Sequence, residues 1–508
     1  MQKHSTFQTH ISDQDDDLPL PLYRRLAAHY LSAIKAGTLT VGDRMPSVRK
    51  LMQLHTVSLS TALQMCRQLE ADGWLEARPR SGYFVRQPRR INLVPATEPA
   101  INAPIDPAQF VGIHERVSAI ISQGQRPIKI NLARATGAPD LYPQEELKNM
   151  AIRLLRHRPQ LLTKAISPGG NKELKAALAK RALGIGMSIK PDDVVVTLGC
   201  IEALNLALRA VAQAGDIIAV ESPTFYGLLQ VLESLGMKAL EIPTSPQTGI
   251  SIEALELAMQ TYDNIKAVVV VPHLQNPLGS IMPDSHKQRL VALCEEQQIP
   301  LIEDDSYSAL VNADAAPTSA KHWDKTGNVI YCASLHKILA PGLRVGWMVA
   351  GRWHARVSML KYAHTRYNEE WSQIVLAEFI NSSAYDRHLR RLRQILSQQR
   401  ERTAEAIAAY FPEGTRLTVP DGGISVWIEM PHQLSSQAVF EAALEQGILV
   451  SPGLLYSNSN RFNHFLRLNC GMHFTQELDN ALRQLGQIIT AMALRQQSQN
   501  RQQQHAAA

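Results

Sequence analysis

The 508-residue sequence predicts two folded blocks of different class: a small helical unit closed by a two-stranded wing at residues 19–87, and a large α/β domain at 126–492. Three observations predict this division. Apolar residues recur at helical spacing through the first seventy or so positions, then alternate across "WLEARPRSGYFV". Beyond residue 126, short all-apolar runs alternate with helical stretches of about a dozen residues, the pattern of a mainly parallel sheet covered on both faces. Between the blocks, at 88–125, prolines accumulate in "QPRRINLVPATEPAINAPIDPAQ", which reads as an extended linker interrupted by one helical segment, "FVGIHERVSAIISQG".

In the first block "PLYRRLAAHYLSAIKAG" places Leu22, Leu26, Tyr30 and Ile34 on one stripe, and Gly37 stops the helix. Pro46-Ser47 opens a second helix. A third, "SLSTALQMCRQLEADG", sets Leu59, Leu63, Cys66 and Leu69 on one side and Ser60, Thr61, Gln64, Arg67 and Gln68 on the other. Three helices followed by a wing with a basic tip form a winged helix-turn-helix, whose third helix enters a major groove. Charge agrees with this: residues 19–90 carry twelve Lys/Arg against four Asp/Glu, which is +8 of a chain total of +6. A module this basic suits a polyanionic partner such as duplex DNA.

The segment "GDRMPSVRKLMQLHTVSLSTALQMCRQLEADGWLEARPRSGYFV" resembles the DNA-binding domain of the GntR family. The resemblance implies phosphate or base contacts from Arg44 and Arg49. It also implies a recognition helix starting at Ser58, Ser60 and Thr61 and carrying Arg67, and a wing tip at Arg80 and Gly82. Leu59 departs from the family, several of whose members have a base-contacting arginine there.

The large block excludes a membrane role by length, because its longest apolar runs, such as "AVVVVP", are far short of a span. The polar, acidic start "MQKHSTFQTHISDQDDD" is neither a signal nor a transit peptide. Five scattered cysteines (66, 200, 294, 332, 470), none in a CxxC pair, predict a reducing, cytoplasmic setting and no zinc site. Residues 1–18 and the Gln-rich 493–508 have too little apolar content to fold and are expected to be disordered.

In parallel α/β sheets ligands bind beyond the carboxyl ends of the strands, and the chemically distinctive residues fall there. Gly199 turns from "DVVVTL" into a helix, aiming the amides of Cys200 and Ile201 outward, a geometry that favours phosphate. Phe225, after "DIIAVESP", can cover a flat ring. Asn276, after "AVVVVP", can donate to a phenolate-like oxygen. Asp304, leaving "IPLIE", and Tyr307 three residues on would set a carboxylate and a phenol over one pocket. Finally "SLHKILAPGLRVGW" presents Lys337 at a strand end, between Ser334 and His336 on one side and Arg344 on the other. A desolvated lysine beside a cationic phosphate clamp is of the Schiff-base-forming type. Phosphate donors, a ring stacker, an oxygen donor and a nitrogen-pairing carboxylate together match the handles of pyridoxal phosphate.

The motifs "QNPLG", "EDDSY", "SLHKILAPGLRVGW" and "FLRLN", in this order, resemble the fold-type-I aminotransferases over residues 126–490. The resemblance implies that Lys337 carries pyridoxal 5'-phosphate as a Schiff base and that Asp304 pairs with its ring nitrogen. Asn276 and Tyr307 would bond the phenolic oxygen, and Phe225 would stack on the ring. Ser334, Arg344 and the amides near Cys200 would hold phosphate, and Arg467 would take a substrate or effector carboxylate. His336 stands where many relatives have a second phosphate-binding serine.

A GntR-type head joined to an aminotransferase-like body resembles the MocR subfamily of transcription regulators. That resemblance implies a head-to-tail homodimer that binds an operator and responds to pyridoxal phosphate or an amino compound. A working aminotransferase with an appended DNA-binding module remains open from the residues alone, as does a sensor of the cofactor only.

Overall fold

The computed structural model describes residues 21–40, 42–71, 74–78, 81–86, 93–97, 106–122, 127–164, 169–313 and 316–507. The chain divides into two compact units, Met1–Arg90 and Ile91–Ala508. The expected disordered segment 1–18 and the wing residue Arg80 lie outside the described residues.

The first unit has helices α1 (Leu22–Lys35), α2 (Val48–His55) and α3 (Leu59–Ala71), then antiparallel strands β1 (Leu75–Arg78) and β2 (Gly82–Val85). Ser47 caps α2 by accepting the Lys50 amide at 3.3 Å. Thr56, in the left-handed region, turns the chain toward α3. Leu26, Tyr30 and Ile34 of α1, Leu51 of α2, and Ala62, Met65, Cys66 and Leu69 of α3 make the core with Leu75 and Val85 of the wing. One sequence expectation is corrected. Periodicity puts Leu59 on the apolar stripe of α3, yet it is 52% exposed, because that stripe runs one turn past the core that α1 and α2 supply.

The second unit holds a nine-stranded sheet. Its strands are β3 (Gln109–Phe110), β4 (Val194–Thr197), β5 (Ile217–Ser222), β6 (Lys238–Ser245), β7 (Ile265–Val270), β8 (Leu301–Asp304), β9 (Val329–Ser334) and β10 (Gly346–Val349), in spatial order β3-β6-β5-β7-β8-β9-β10-β4, with Gly249–Ile250 paired to β6. β6, β5, β7, β8 and β9 run parallel. β10 is antiparallel to both neighbours, which leaves β4 pointing the same way as β9. Their runs of Val, Ile and Ala are buried on both faces, as for a sheet covered on both sides. A second, antiparallel sheet not anticipated from the sequence contains β11 (Arg416–Thr418), β12 (Ser425–Glu429), β13 (Ser451–Pro452) and β14 (Phe465–Asn469).

Two boundary expectations are also corrected. Much of the supposed linker belongs to the body: β3 pairs with β6, Val111, Ile113 and Val117 are buried, and the Leu417 amide donates to the Val94 carbonyl at 2.9 Å. Proline content signalled extended chain but not where that chain lies. The Gln-rich end is helical, because the last helix runs Gln476–Ala507 without interruption. Gln, Arg and Ala propagate a helix already nucleated on the body, and neither Gly nor Pro stops it after residue 486.

Candidate functional site

The parallel strands end on one edge of the sheet, and the predicted residues gather there. β8 ends at Asp304, which is 7% exposed. Its Oδ1 accepts the Ser306 hydroxyl at 2.6 Å, the Ser306 amide at 3.1 Å and the Cys200 thiol at 3.1 Å. No cation of the described residues pairs with it, and burial holds its pKa above the ordinary carboxylate value.

The neighbouring Asp305 is different. His273 Nδ1 donates to it at 3.0 Å, Tyr331 at 2.7 Å and Ser308 at 2.8 Å. Lys287 lies 3.1 Å from His273 Nε2. An ammonium can only donate, so Nε2 accepts and the ring proton sits on Nδ1. Burial pushes the Asp305 carboxyl up, but the hydrogen bonds from His273, Tyr331 and Ser308 outweigh it and hold the pKa down. Of the two adjacent carboxylates, Asp305 is held by a histidine, a phenol and a hydroxyl, whereas Asp304 has only Cys200 and Ser306.

Lys337 follows β9 and donates to the Ala135 carbonyl at 2.5 Å, with its Nζ 5.7 Å from the Tyr307 ring centre. Burial, reinforced by the Arg467 cation, pushes its pKa down to about 7, against the opposing pull of Asp304. An amine in this state is largely neutral in mildly basic solution and can act as a nucleophile.

The residues expected from the sequence to hold phosphate lie together. Gly199, at φ +86°, begins the helix Cys200–Val211, and a Cβ there would come within 3.2 Å of the Arg344 guanidinium. The positive φ and this close approach both call for glycine. The first-turn amides of Cys200 and Ile201 have no acceptor among the described residues. Ser334 is buried and accepts the His336 amide at 3.1 Å. His336 Nδ1 stands 3.3 Å from Arg344, and burial plus the Lys337 and Arg344 charges push its pKa down to about 4. A neutral imidazole beside Arg344 can still offer one donor.

Phe225 heads the helix Tyr226–Ser234, and its ring packs so near Gly227 that a Cβ there would sit 2.5 Å away. Asn276 is buried and its Oδ1 has no partner among the described residues. Arg467 is 1% exposed. On β14 the two-residue period sends Leu466 and Leu468 into the core and turns Arg467 and Asn469 to the other face. There Arg467 Nη2 donates to the Ala133 carbonyl, Asn469 donates to the Thr136 carbonyl at 3.0 Å, and Arg467 Nε has no partner among the described residues. A cavity of about 530 Å³ lined by Arg134, Tyr142, Leu339, Asn469 and Met472 opens beside this group.

Sequence reasoning missed His273, the Cys200 thiol and the 131–142 loop. His273 directly precedes the "LQNPLG" stretch and was legible only as part of a strand-end turn. The loop carbonyls carry no side-chain signal at all.

On the head, Arg44 and Arg49 are exposed, and a Cβ on Gly82 would lie 3.8 Å from Arg44 Nε. Ser58 caps α3, accepting the Thr61 amide at 3.2 Å, with the Ser60 and Thr61 hydroxyls 2.8 and 2.9 Å from its own. Arg67 is exposed one to two turns further on.

The fold and this site define a class: an aminotransferase-type, pyridoxal-phosphate-binding body that follows a winged-helix head in the chain. Residues 127–485 match the model of aminotransferase class I and II, and residues 22–85 match that of the bacterial regulatory proteins of the gntR family. The chain is 36% identical to the uncharacterized HTH-type transcriptional regulator YjiR of Escherichia coli K12, over 92% of this chain and 98% of that one. It is 35% identical to the uncharacterized regulator YdcR of the same strain, with the same coverage. Among solved structures, the α-aminoadipate aminotransferase LysN of Thermus thermophilus superposes with a TM-score of 0.68 at 25% identity, over 73% of this chain and 95% of that one. The protein belongs to the GntR-type transcriptional regulators that carry a class I and II aminotransferase domain, and its cofactor is pyridoxal 5'-phosphate.

The residues present fit that cofactor. Among the described residues Asp304 has no cationic hydrogen-bond partner and Arg467 Nε has no acceptor, and the cradle between Gly199 and Arg344 is one a Cβ would fill.

Proposed function

We propose that the protein is a DNA-binding transcriptional regulator whose body senses pyridoxal phosphate together with a carboxylate-bearing amine. One observation carries this reading: a single chain carries both a +8 head and a buried cluster in which Asp304 and Arg467 lie within electrostatic reach of Lys337. When bound, pyridoxal phosphate supplies an aldehyde that condenses with a primary amine. Lys337 holds the cofactor covalently, and its depressed pKa supplies the neutral amine. Asp304 holds the proton on the ring nitrogen, Asn276 and Tyr307 orient the phenolic oxygen, and Phe225 covers the ring. Arg344, Ser334, His336 and the Cys200 and Ile201 amides anchor the phosphate. Arg467 takes the carboxylate of the incoming amine by the bidentate geometry a guanidinium favours.

A homodimer in the head-to-tail arrangement, in the cytoplasm, is part of this reading, since two heads suit an operator of two half-sites. The second reading, a working aminotransferase, is favoured by the same lysine, aspartate and arginine. The two separate in one experiment. Operator affinity is measured by fluorescence anisotropy, with cofactor, as amino acids and amines are added, while keto-acid formation is followed in parallel. Regulation predicts an affinity change of about 5–150-fold for one ligand. Turnover at about 1 s⁻¹ or faster without any ligand effect on DNA would replace it with the enzyme reading.

A further inference from the structure

We infer that Leu59 reads the 5-methyl group of a thymine, making the head selective for an A·T pair at one operator position. The inference rests on the DNA-binding reading of the head and deepens it.

The argument starts from where Leu59 lies. A core leucine is covered, but this one is 52% exposed, while Ala62, Met65, Cys66 and Leu69 further along α3 are all at 0%. It is the first residue of α3, flanked by the hydroxyl residues Ser58 and Ser60. Those hydroxyls are engaged with one another and with the Thr61 amide at 2.8–3.2 Å, so the first turn is held rigid with its leucine presented outward. Among the described residues the other exposed side chains of α3, Ser60, Gln64 and Arg67, are polar and can meet base edges or phosphates. Leucine can do neither.

The major groove offers one apolar feature, the thymine methyl, and it is absent from the other three bases. A branched aliphatic side chain on the leading turn of a groove-entering helix matches that feature and no hydrogen-bonding edge. Desolvating Leu59 against a phosphate or a guanine edge would leave the polar group there without a partner.

Random-sequence duplexes are selected with the full-length protein, and the enriched duplex is then remade with each thymine replaced in turn by deoxyuridine, which lacks only the methyl group. At one thymine per half-site the replacement should weaken wild-type binding about fourfold, the equivalent of one lost methyl contact. Leu59→Ala should bind the unmodified duplex more weakly and lose sensitivity to that replacement, while remaining sensitive to changes elsewhere in the site. Leu59→Met, which keeps an apolar reach, should retain it. An enriched duplex insensitive to every deoxyuridine, or equally sensitive with Leu59→Ala, overturns the inference and leaves DNA binding intact. Failure to enrich any duplex overturns the DNA-binding reading, and the inference falls with it.

Discussion

The thiol of Cys200 donates to Oδ1 of Asp304 at 3.1 Å, joining the first residue of the helix Cys200–Val211 to the carboxylate at the end of β8. The first oxygen of Asp304 is thus held by Cys200 and Ser306. Neither donor is a cation, so the carboxylate remains short of positive charge until a cationic partner arrives. Burial raises its pKa for the same reason. Asp304→Asn should weaken cofactor retention by about tenfold or more, because a carboxamide offers no compensating charge to a protonated ring nitrogen. Equilibrium dialysis with pyridoxal phosphate checks this.

Lys337→Ala should abolish the near-visible absorbance of lysine-bound cofactor, measured on protein purified with pyridoxal phosphate. In the wild type the rate at which that absorbance appears should rise as pH increases through about 7 and then level off. The neutral amine reacts, and the folded protein holds the lysine pKa near that value. A rate still climbing toward pH 10, as for an ordinary lysine, contradicts the assignment.

Asp305→Ala should destabilise the body by about 3–5 kcal/mol, the usual cost of removing one partner from a buried charge network. His273, Tyr331 and Ser308 would all lose their acceptor. Because the folded pKa of Asp305 is depressed, its contribution is present above the ordinary carboxylate value near 4 and is lost as pH falls below that through the folded value. Urea melts of wild type and variant at pH 7 and in acid should therefore converge as the pH drops.

Gly199→Ala should strain the backbone at φ +86° and crowd Arg344. About 1–2 kcal/mol of backbone cost is expected, together with weaker phosphate anchoring. Pyridoxal, which lacks the phosphate, should bind the variant and the wild type alike; a matching loss for both ligands would assign Gly199 to packing alone.

Arg49→Ala should weaken operator binding by about 1–3 kcal/mol if the guanidinium reads a base, and by less, with a shallower salt dependence, if it meets a phosphate. Anisotropy titrations between 50 and 200 mM salt, about the range over which counterion release is resolved, distinguish the two.

The helices and wing of the first unit and the parallel strands of the main sheet were legible because periodicity and burial are locally encoded. Leu26, Tyr30 and Ile34 declare a helix face, and "AVVVV" declares a strand buried on both sides. The strand-end residues were legible too, since a parallel sheet obliges Asp304, Asn276, Phe225 and Lys337 to emerge on one edge. What the sequence could not decide was which groups neutralise one another. Asp304 and Asp305 are adjacent and chemically identical, and only the approach of His273 from another strand end makes one a structural anchor and leaves the other for a ligand. Leu59 fits the apolar stripe of α3 as well as Cys66 does, yet exposure depends on whether α1 and α2 reach that turn, and they do not. The supposed linker shows the same limit, because Val111 and Ile113 find their partners in strands and helices more than a hundred residues away in sequence. Local sequence sets the backbone pattern and the inventory of side chains; long-range packing decides which of them are satisfied and which remain available to bind.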